Sequence, residues 1–172
     1  MTRVFVYGTL KRGFANYQRY LSSAEACGQA RYCGPALTRD DHALIVVPEG
    51  NKPPGMLEGG GGQQVEGQVF DVDARTLRAL DILEGLHTGR YYRKELTVLL
   101  QQAPQCETFD RGEMASAVEE LCATYMYPST PELLALERHA TYTRELQDAH
   151  YVLRDLNPEI EALCAPPADG DA

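Results

Sequence analysis

The stretch VFVYGTLKRG, Val4–Gly13, determines how the fold begins. Its first residues are β-branched and aromatic, which favours a buried strand, and Gly8 ends that strand in a turn. A strand that runs into a glycine turn exposes successive backbone N–H groups, and such a concavity binds anions or an oxyanion. The stretch contains neither GxGxxG nor GxxxxGKS/T, so it does not predict a nucleotide-phosphate loop. Taken alone, a strand followed by glycine is more often structural than functional.

Beyond this stretch, short apolar runs alternate with polar breaks. Strands are predicted at residues 30–33, 43–47, 64–72, 91–100 and 121–127, and helices at residues 14–21, 73–84 and 131–155. Residues 64–72 alternate polar and apolar side chains, as a half-buried strand does. Loops are predicted at the four glycines 59–62 and at the polar residues 101–116, and disorder at residues 165–171. Strands outnumber helices and come in clusters, which indicates an α+β fold.

Glu84 stands at the predicted end of the second helix. Asp73 is the expected N-cap, and Gly85 occupies the position where a left-handed residue closes a helix. A carboxylate at the negative end of the helix dipole is disfavoured, so the pKa of Glu84 should rise toward neutrality, which suits proton transfer. The alternative is an ordinary solvent-facing glutamate on a surface helix.

Tyrosine is the second unusual feature, because the chain has 10 tyrosines and no tryptophan. Tyr91 and Tyr92 follow Glu84, and Tyr125 and Tyr127 lie in the last predicted strand. Core packing is the default role of tyrosine in a sheet. Hydroxyl groups that reach a shared pocket would instead position a polar substrate.

Net charge and its distribution exclude some classes of partner. The chain carries 16 basic and 25 acidic side chains, a formal charge of −9, which argues against a general nucleic-acid binder. The first 20 residues are basic, whereas residues 155–172 are acidic. This asymmetry indicates either a solvated acidic tail or a basic rim around a site that receives a carboxylate.

Cysteine and histidine usage predicts neither a disulfide framework nor a metal site. Five cysteines include no CxxC pair, and four histidines are scattered without paired spacing. Reduced thiols favour a cytoplasmic protein. No apolar run approaches the length that spans a membrane, and no secretory segment is recognised.

The order of these features resembles the γ-glutamyl cyclotransferase-like family, and most closely its γ-glutamylamine cyclotransferase branch. The resemblance rests on five blocks between residues 2 and 128: Val4–Gly13, Val65–Asp73, Leu80–Gly85, Tyr91–Arg93 and Cys122–Tyr125. It implies a small mixed β-barrel with flanking short helices over residues 1–128. A C-terminal helical extension and an acidic flexible tail would follow over residues 129–172. Residues 101–116 and everything after Ser129 depart from the family pattern and could reshape the pocket mouth.

The resemblance also implies one substrate site, made of a backbone cradle, an acid/base and pocket tyrosines. These are Tyr7, Gly8, Thr9 and Leu10 for the cradle, Glu84 for the acid/base, and Tyr91 and Tyr125 for the pocket. No metal and no cofactor is implied.

The implied chemistry is an intramolecular cyclisation. In a γ-glutamyl amide, the α-amine attacks its own γ-carbonyl carbon and closes the five-membered ring of 5-oxoproline. The amine must lose a proton and the leaving amine must gain one, and a single carboxylate with a raised pKa can do both.

Several substrates and one different function fit the sequence. The substrate is expected to be a γ-glutamyl amine. Its leaving group would be lysine, an alkylamine or polyamine, or a biosynthetic amine that a γ-glutamyl group protects, such as an aminoglycoside. The acidic balance of the whole chain favours a cationic leaving group. Glutathione and γ-glutamyl amino acids are alternatives, as is a non-catalytic protein that binds a small metabolite in the same pocket. Residues 131–156, with Leu133, Leu136, Ala140 and Leu153, are expected to pack on the barrel or to form a dimer interface, so the chain is predicted to be a monomer or a homodimer.

Overall fold

A closed five-stranded barrel forms the centre of the molecule, in the computed structural model of residues 1–168. Its strands are β1 (Thr2–Val6), β2 (Ala30–Thr38), β5 (Glu66–Val72), β6 (Tyr92–Leu100) and β7 (Val118–Met126). They pair in the order β1-β5-β2-β6-β7, and the barrel closes where β1 runs parallel to β7, with Val4 opposite Ala123. The other pairs are antiparallel. The predicted mixed barrel is therefore confirmed.

A short hairpin and several short helices flank the barrel. The hairpin consists of β3 (Ala43–Val46) and β4 (Pro54–Leu57). A π-helical turn (Tyr17–Leu21) precedes α1 (Ser22–Ala26), and later come α2 (Ala74–Leu83), α3 (Pro131–Leu134), α4 (Arg144–His150) and α5 (Pro158–Cys164). Two 3-10 segments lie at Leu86–Thr88 and Arg111–Ser116. None of the helices in the described residues is long and apolar enough to cross a membrane.

Strand β1 places alternate side chains in two separate cores. Val4 and Val6 pack in the cluster that includes Leu80 of α2 and Ile160 of α5. Phe5 and Tyr7 point the other way, into the cluster with the remaining barrel strands. This period of two is what a strand buried on both faces requires, and it delivers residues 7–10 to one end of the barrel.

The prediction that residues 64–72 form a half-buried strand is wrong in one respect, because β5 is buried on both faces. Its polar side chains find partners instead of water. Asp71 accepts hydrogen bonds from Arg3 and Arg31, and Gln68 accepts from the Arg12 N–H and donates to the Glu107 carbonyl oxygen. The long polar loop at residues 101–116 therefore covers this face of the barrel, which the alternation of residue types could not reveal.

In the first half of the chain, two strands contain proline or glycine at positions where the sequence predicts breaks. The strand predicted at residues 30–33 is longer in the structure. Strand β2 continues through Gly34 and Pro35 to Thr38, with an irregular register between Tyr32 and Gly34. Strand β4, which begins at Pro54, was not predicted. Both prolines lie in short or irregular pairings, where a missing N–H costs little.

The predicted long helix over residues 131–155 is also wrong. Helix α3 covers only Pro131–Leu134 and α4 only Arg144–His150, and the chain between them runs along β3 and the start of β5. There the Ala140 carbonyl oxygen accepts from the Glu66 N–H at 2.8 Å, and His139 pairs with Leu44. Pairing with these strand edges prevails over the local helical pattern.

The C-terminal segment packs on the barrel unevenly. Tyr142 is 1% exposed, and Leu133 is half-buried beside the hairpin core, whereas Leu153 is 55% exposed. Asn157 caps α5, accepting from the Ile160 N–H, and Pro158 takes the first helical position. Residues 165–168 contain no regular structure, and the rest of the predicted disordered end lies outside the described residues.

Candidate active site

The turn that follows β1 forms one wall of a cavity at the end of the barrel. Gly8, Thr9 and Leu10 are buried, and within residues 1–168 their backbone N–H groups have no hydrogen-bond partner. Buried backbone N–H groups are nearly always paired in folded proteins. Three unpaired ones in succession therefore indicate a site that receives an acceptor from outside the chain.

Neighbouring residues hold this turn in place. The Thr9 carbonyl oxygen accepts from the N–H groups of Asn16 and Tyr17, both at 3.0 Å, and the Asn16 side chain donates to Thr9 Oγ1 at 2.9 Å. Gly8 also passes so close to Pro54 that a Cβ at this position would collide with the proline ring. The N–H groups are thus fixed in direction before any ligand arrives.

Glu84 enters the same cavity from the end of α2. Asp73 caps the start of the helix, accepting from the Thr76 N–H at 2.7 Å. Glu84 is the C-cap residue directly after Leu83, and Gly85 follows with φ of 68°, the left-handed conformation that glycine adopts without strain. The predicted boundaries of this helix are confirmed.

The protein surrounds the Glu84 carboxyl group on most sides, although part of it opens into the cavity. Burial, which disfavours the charged form, raises the pKa of Glu84 to about 7, and the nearby cations Arg90 and Arg154 moderate the rise. The main cause is therefore loss of water rather than the helix end from which the rise was predicted. A carboxyl group with this pKa exchanges protons readily near neutral pH.

Arg90 supports the end of α2 and was missed in the sequence. Its guanidinium group donates to the carbonyl oxygens of Leu83 and Glu84, which lack helical partners, and lies over the Tyr91 ring. Its Nη1 atom is buried with no partner in the described part of the chain. The only signal in the sequence was its place directly before Tyr91.

The hydroxyl groups of the three tyrosines predicted for the site, Tyr7, Tyr91 and Tyr125, all donate hydrogen bonds to other groups of the protein. Tyr7 donates to the Tyr125 carbonyl oxygen at 2.6 Å, Tyr91 to the Pro54 carbonyl oxygen at 2.6 Å, and Tyr125 to Asp81 Oδ1 at 2.7 Å. Burial raises the pKa of each phenol, so all three stay neutral. Their donors are used to fix the walls, and what they offer the cavity is ring surface and oxygen lone pairs.

One cavity of about 160 Å³ brings every predicted site residue together. The Tyr7–Leu10 turn, Glu84, Tyr91 and Tyr125 all line it. None of residues 101–116, all of which the structure describes, takes part. Four residues that no motif in the sequence marked also line the cavity: Tyr151, Arg154, Asp155 and Asn157.

Comparison with known proteins gives a consistent result. Residues 4–148 match the family model described as γ-glutamyl cyclotransferase, AIG2-like. The γ-glutamylamine cyclotransferase of Mus musculus is 34% identical over 146 residues, which is 84% of this chain and 91% of that protein. A candidate γ-glutamylcyclotransferase of Drosophila melanogaster is 42% identical over 100 residues, 58% of this chain and 62% of that protein's length. The crystal structure of an AIG2-like protein from Mus musculus superposes with a TM-score of 0.70 at 29% identity, covering 91% of this chain and 99% of the other.

Proposed function

Because the chain belongs to the γ-glutamyl cyclotransferase, AIG2-like family, we propose that it cyclises the γ-glutamyl group of an amide and releases 5-oxoproline and a free amine. One observation supports this more than any other. Among the described residues, three with unpaired backbone N–H groups and a glutamate with a pKa of about 7 line the same small cavity. Cyclisation needs an anion cradle and a proton carrier and nothing further.

The turn at Gly8, Thr9 and Leu10 binds the substrate in this proposal. Two N–H groups suffice for the α-carboxylate of the γ-glutamyl group, and a third can stabilise the oxyanion that forms at the γ-carbonyl. Since the turn is already fixed by Asn16 and Tyr17, the donors do not have to reorganise during the reaction. The folded γ-glutamyl chain then places its amine next to its own carbonyl carbon.

Glu84 moves two protons in turn. The ionised carboxylate takes a proton from the α-ammonium group, and the free amine attacks the γ-carbonyl carbon to form the ring C–N bond. The tetrahedral intermediate carries an oxyanion and a protonated ring nitrogen; Glu84 returns its proton to the leaving nitrogen as that C–N bond breaks and the carbonyl re-forms. The carboxylate then takes the second proton from the ring nitrogen and passes it to the released amine, which leaves as an ammonium ion, so Glu84 ends ionised as it began. No proton is gained or lost overall, which agrees with a carboxyl group half-ionised near neutral pH.

Replacing the proton carrier tests this mechanism. Glu84→Gln keeps the shape of the side chain but cannot exchange a proton, so 5-oxoproline formation should fall by about 10²- to 10⁴-fold. The assay uses a panel of γ-glutamyl amines, γ-glutamyl amino acids and glutathione, with 5-oxoproline as the measured product. Glu95→Gln is the matched control, because Glu95 is exposed on β6 and does not line the cavity.

The alternative function gives a different result in the same assay. A non-catalytic metabolite-binding protein would form no 5-oxoproline from any member of the panel, yet would bind 5-oxoproline or a γ-glutamyl amine in calorimetry. Full turnover in Glu84→Gln would instead keep the enzyme and remove Glu84 as its acid/base.

A further inference from the structure

An extended strap, residues 151–157, forms part of the cavity wall, and its Tyr151 hydroxyl accepts from the Asn16 side chain that also holds Thr9. It joins α4 to α5 and contributes Tyr151, Arg154, Asp155 and Asn157 to the lining. The strap lies beyond residues 4–148, which match the family model. Its residues are therefore free to differ in role from the catalytic set.

The strap is anchored to the first half of the chain at several points. The Val152 N–H donates to the Asn51 carbonyl oxygen at 3.0 Å, and the Asn157 N–H donates to the Tyr20 hydroxyl at 3.2 Å. Arg19 donates to the Arg154 carbonyl oxygen. These contacts tie the strap to the first half of the chain although residues 152–156 are exposed, and a tethered wall loses less entropy on binding.

Charge in the cavity has the opposite sign to that of the whole chain. Arg19, Arg90 and Arg154 line the cavity, and within residues 1–168 none of them forms an ion pair. The lining acids are Glu84, which is half-neutral near pH 7, and Asp155. The cavity thus carries an excess of positive charge although the chain carries −9, and a local excess decides what enters a pocket.

The γ-glutamyl half of the substrate does not use up this positive charge. It brings a single carboxylate, which the Gly8 turn takes, and an ammonium group. Arg90 donates to a carbonyl oxygen at the end of α2, and its charge stabilises the ionised form of Glu84. Arg19 is tied to the strap through its hydrogen bond to the Arg154 carbonyl oxygen. Arg154 also lowers the pKa of Glu84, but only one N–H of its guanidinium has a partner among the described residues, Asn51 Oδ1 at 3.1 Å. A guanidinium held in this way presents a fork that fits a carboxylate.

We propose that the strap recognises the half of the substrate that leaves, and that Arg154 selects a leaving amine that bears a carboxylate. This inference rests on the proposed cyclotransferase function. It favours lysine, other amino acids or the dipeptide half of glutathione as the leaving half over polyamines, alkylamines and aminoglycosides. It also reverses the preference for a cationic leaving group that whole-chain charge suggested.

Matched substrate pairs test the inference on the full chain. γ-Glutamyl-ε-lysine and γ-glutamylcadaverine differ by one carboxylate, as do γ-glutamylalanine and γ-glutamylethylamine. In each pair that is turned over, kcat/KM should be about tenfold to a hundredfold higher for the member with the carboxylate. Arg154→Gln should reduce that ratio by at least about tenfold, and Arg154→Lys should restore part of it. Arg111→Gln, an exposed arginine outside the cavity, should leave the ratio as it is.

The outcomes separate this inference from the function on which it rests. If no substrate yields 5-oxoproline, the cyclotransferase function fails and the inference fails with it. If both members of a pair are turned over equally, or if Arg154→Gln lowers both by the same factor, the function stands. In that case the strap merely supports the pocket, and the selective role of Arg154 is overturned.

Discussion

Glu84 is the residue whose chemistry conflicts most directly with the stability of the fold. Its pKa rises from 4.5 to about 7 on folding, so its ionisation should lower the free energy of unfolding by up to about 3 kcal/mol. Below pH 4.5 the group is protonated in both states and contributes nothing. Between pH 4.5 and 7 only the unfolded chain ionises, so stability falls as pH rises, and above pH 7 the loss is complete.

Glu84→Gln removes this loss. Urea denaturation at pH 5 and pH 8 should show the variant gaining stability relative to the parent chain by about 1 to 3 kcal/mol between the two pH values. Other titrating groups are common to both proteins and cancel. An equal difference at both pH values, or the same gain in Glu95→Gln, would show that Glu84 ionises normally in the folded state.

Arg90 sets the acid side of the pH profile. Its positive charge lowers the pKa of Glu84, so Arg90→Gln should move the acidic limb of the kcat/KM profile upward by about half a pH unit or more. Arg90→Lys keeps the positive charge, so the acidic limb should lie close to its position in the parent chain. It does not reach that position fully, because lysine lacks the fork that binds the two carbonyl oxygens. A profile that is unchanged in Arg90→Gln would contradict this electrostatic coupling.

Residue identity predicted the position of Glu84 but not its environment. Asp73 and Gly85 mark the helix ends by local rules that operate within a few residues. The burial that raises the Glu84 pKa depends on Arg90, the barrel end and the strap, which meet only after folding. The role proposed for Arg154 had no local signal at all, because its side chain is held by Asn51, about one hundred residues earlier in the chain.

At the scale of elements, the tight end of α2 couples backbone strain to activity. Gly85 and Gly89 both have positive φ, 68° and 73°. A Cβ at Gly85 would press on Thr88 and the Arg90 side chain, whereas a Cβ at Gly89 would meet nothing within 4 Å. Alanine at either position would therefore bring the same backbone strain of a positive φ, but only alanine at Gly85 would also crowd neighbouring side chains.

Gly85→Ala and Gly89→Ala should each lose about 1 kcal/mol of stability. Only Gly85→Ala should also lose activity, by about tenfold or more, because it displaces Arg90 and the Glu84 carboxyl group. Thermal melts and 5-oxoproline release measure the two effects separately. Equal activity in both variants would mean that the position of Glu84 does not depend on how α2 ends.

Elements were predictable where local sequence and tertiary partners agree. Strand β1 and helix α2 have strong periodic patterns and end at glycine, and both formed as predicted. Residues 131–155 have a helical pattern, yet Leu44 on the edge of the hairpin and Glu66 at the start of β5 pair with His139 and Ala140. Local propensity is a weak preference, and an available edge exceeds it.

At the scale of the molecule, the barrel and the C-terminal segment share their cores. Tyr142 is fully buried among barrel side chains, and Ile160 and Cys164 of α5 belong to the cluster of Val4 and Leu80. Lys11 is buried as well, and its ammonium group donates to the Tyr142 carbonyl oxygen at 2.6 Å. The boundary predicted near residue 128 thus crosses packed surfaces rather than an open linker.

A chain that ends at Ser129 should therefore not fold stably. It would expose two apolar clusters, leave the Glu66 N–H without its partner Ala140 and remove the strap from the cavity. Losses of this size exceed the 5–15 kcal/mol by which most domains are stable. We expect the truncated chain to be insoluble, or soluble without a cooperative thermal transition by circular dichroism.

A chain ending at Ala165 keeps these contacts and should melt cooperatively, as the full chain does. If the shorter chain instead sediments as a folded monomer, residues 1–128 are an independent domain and residues after Ser129 are available for an interface.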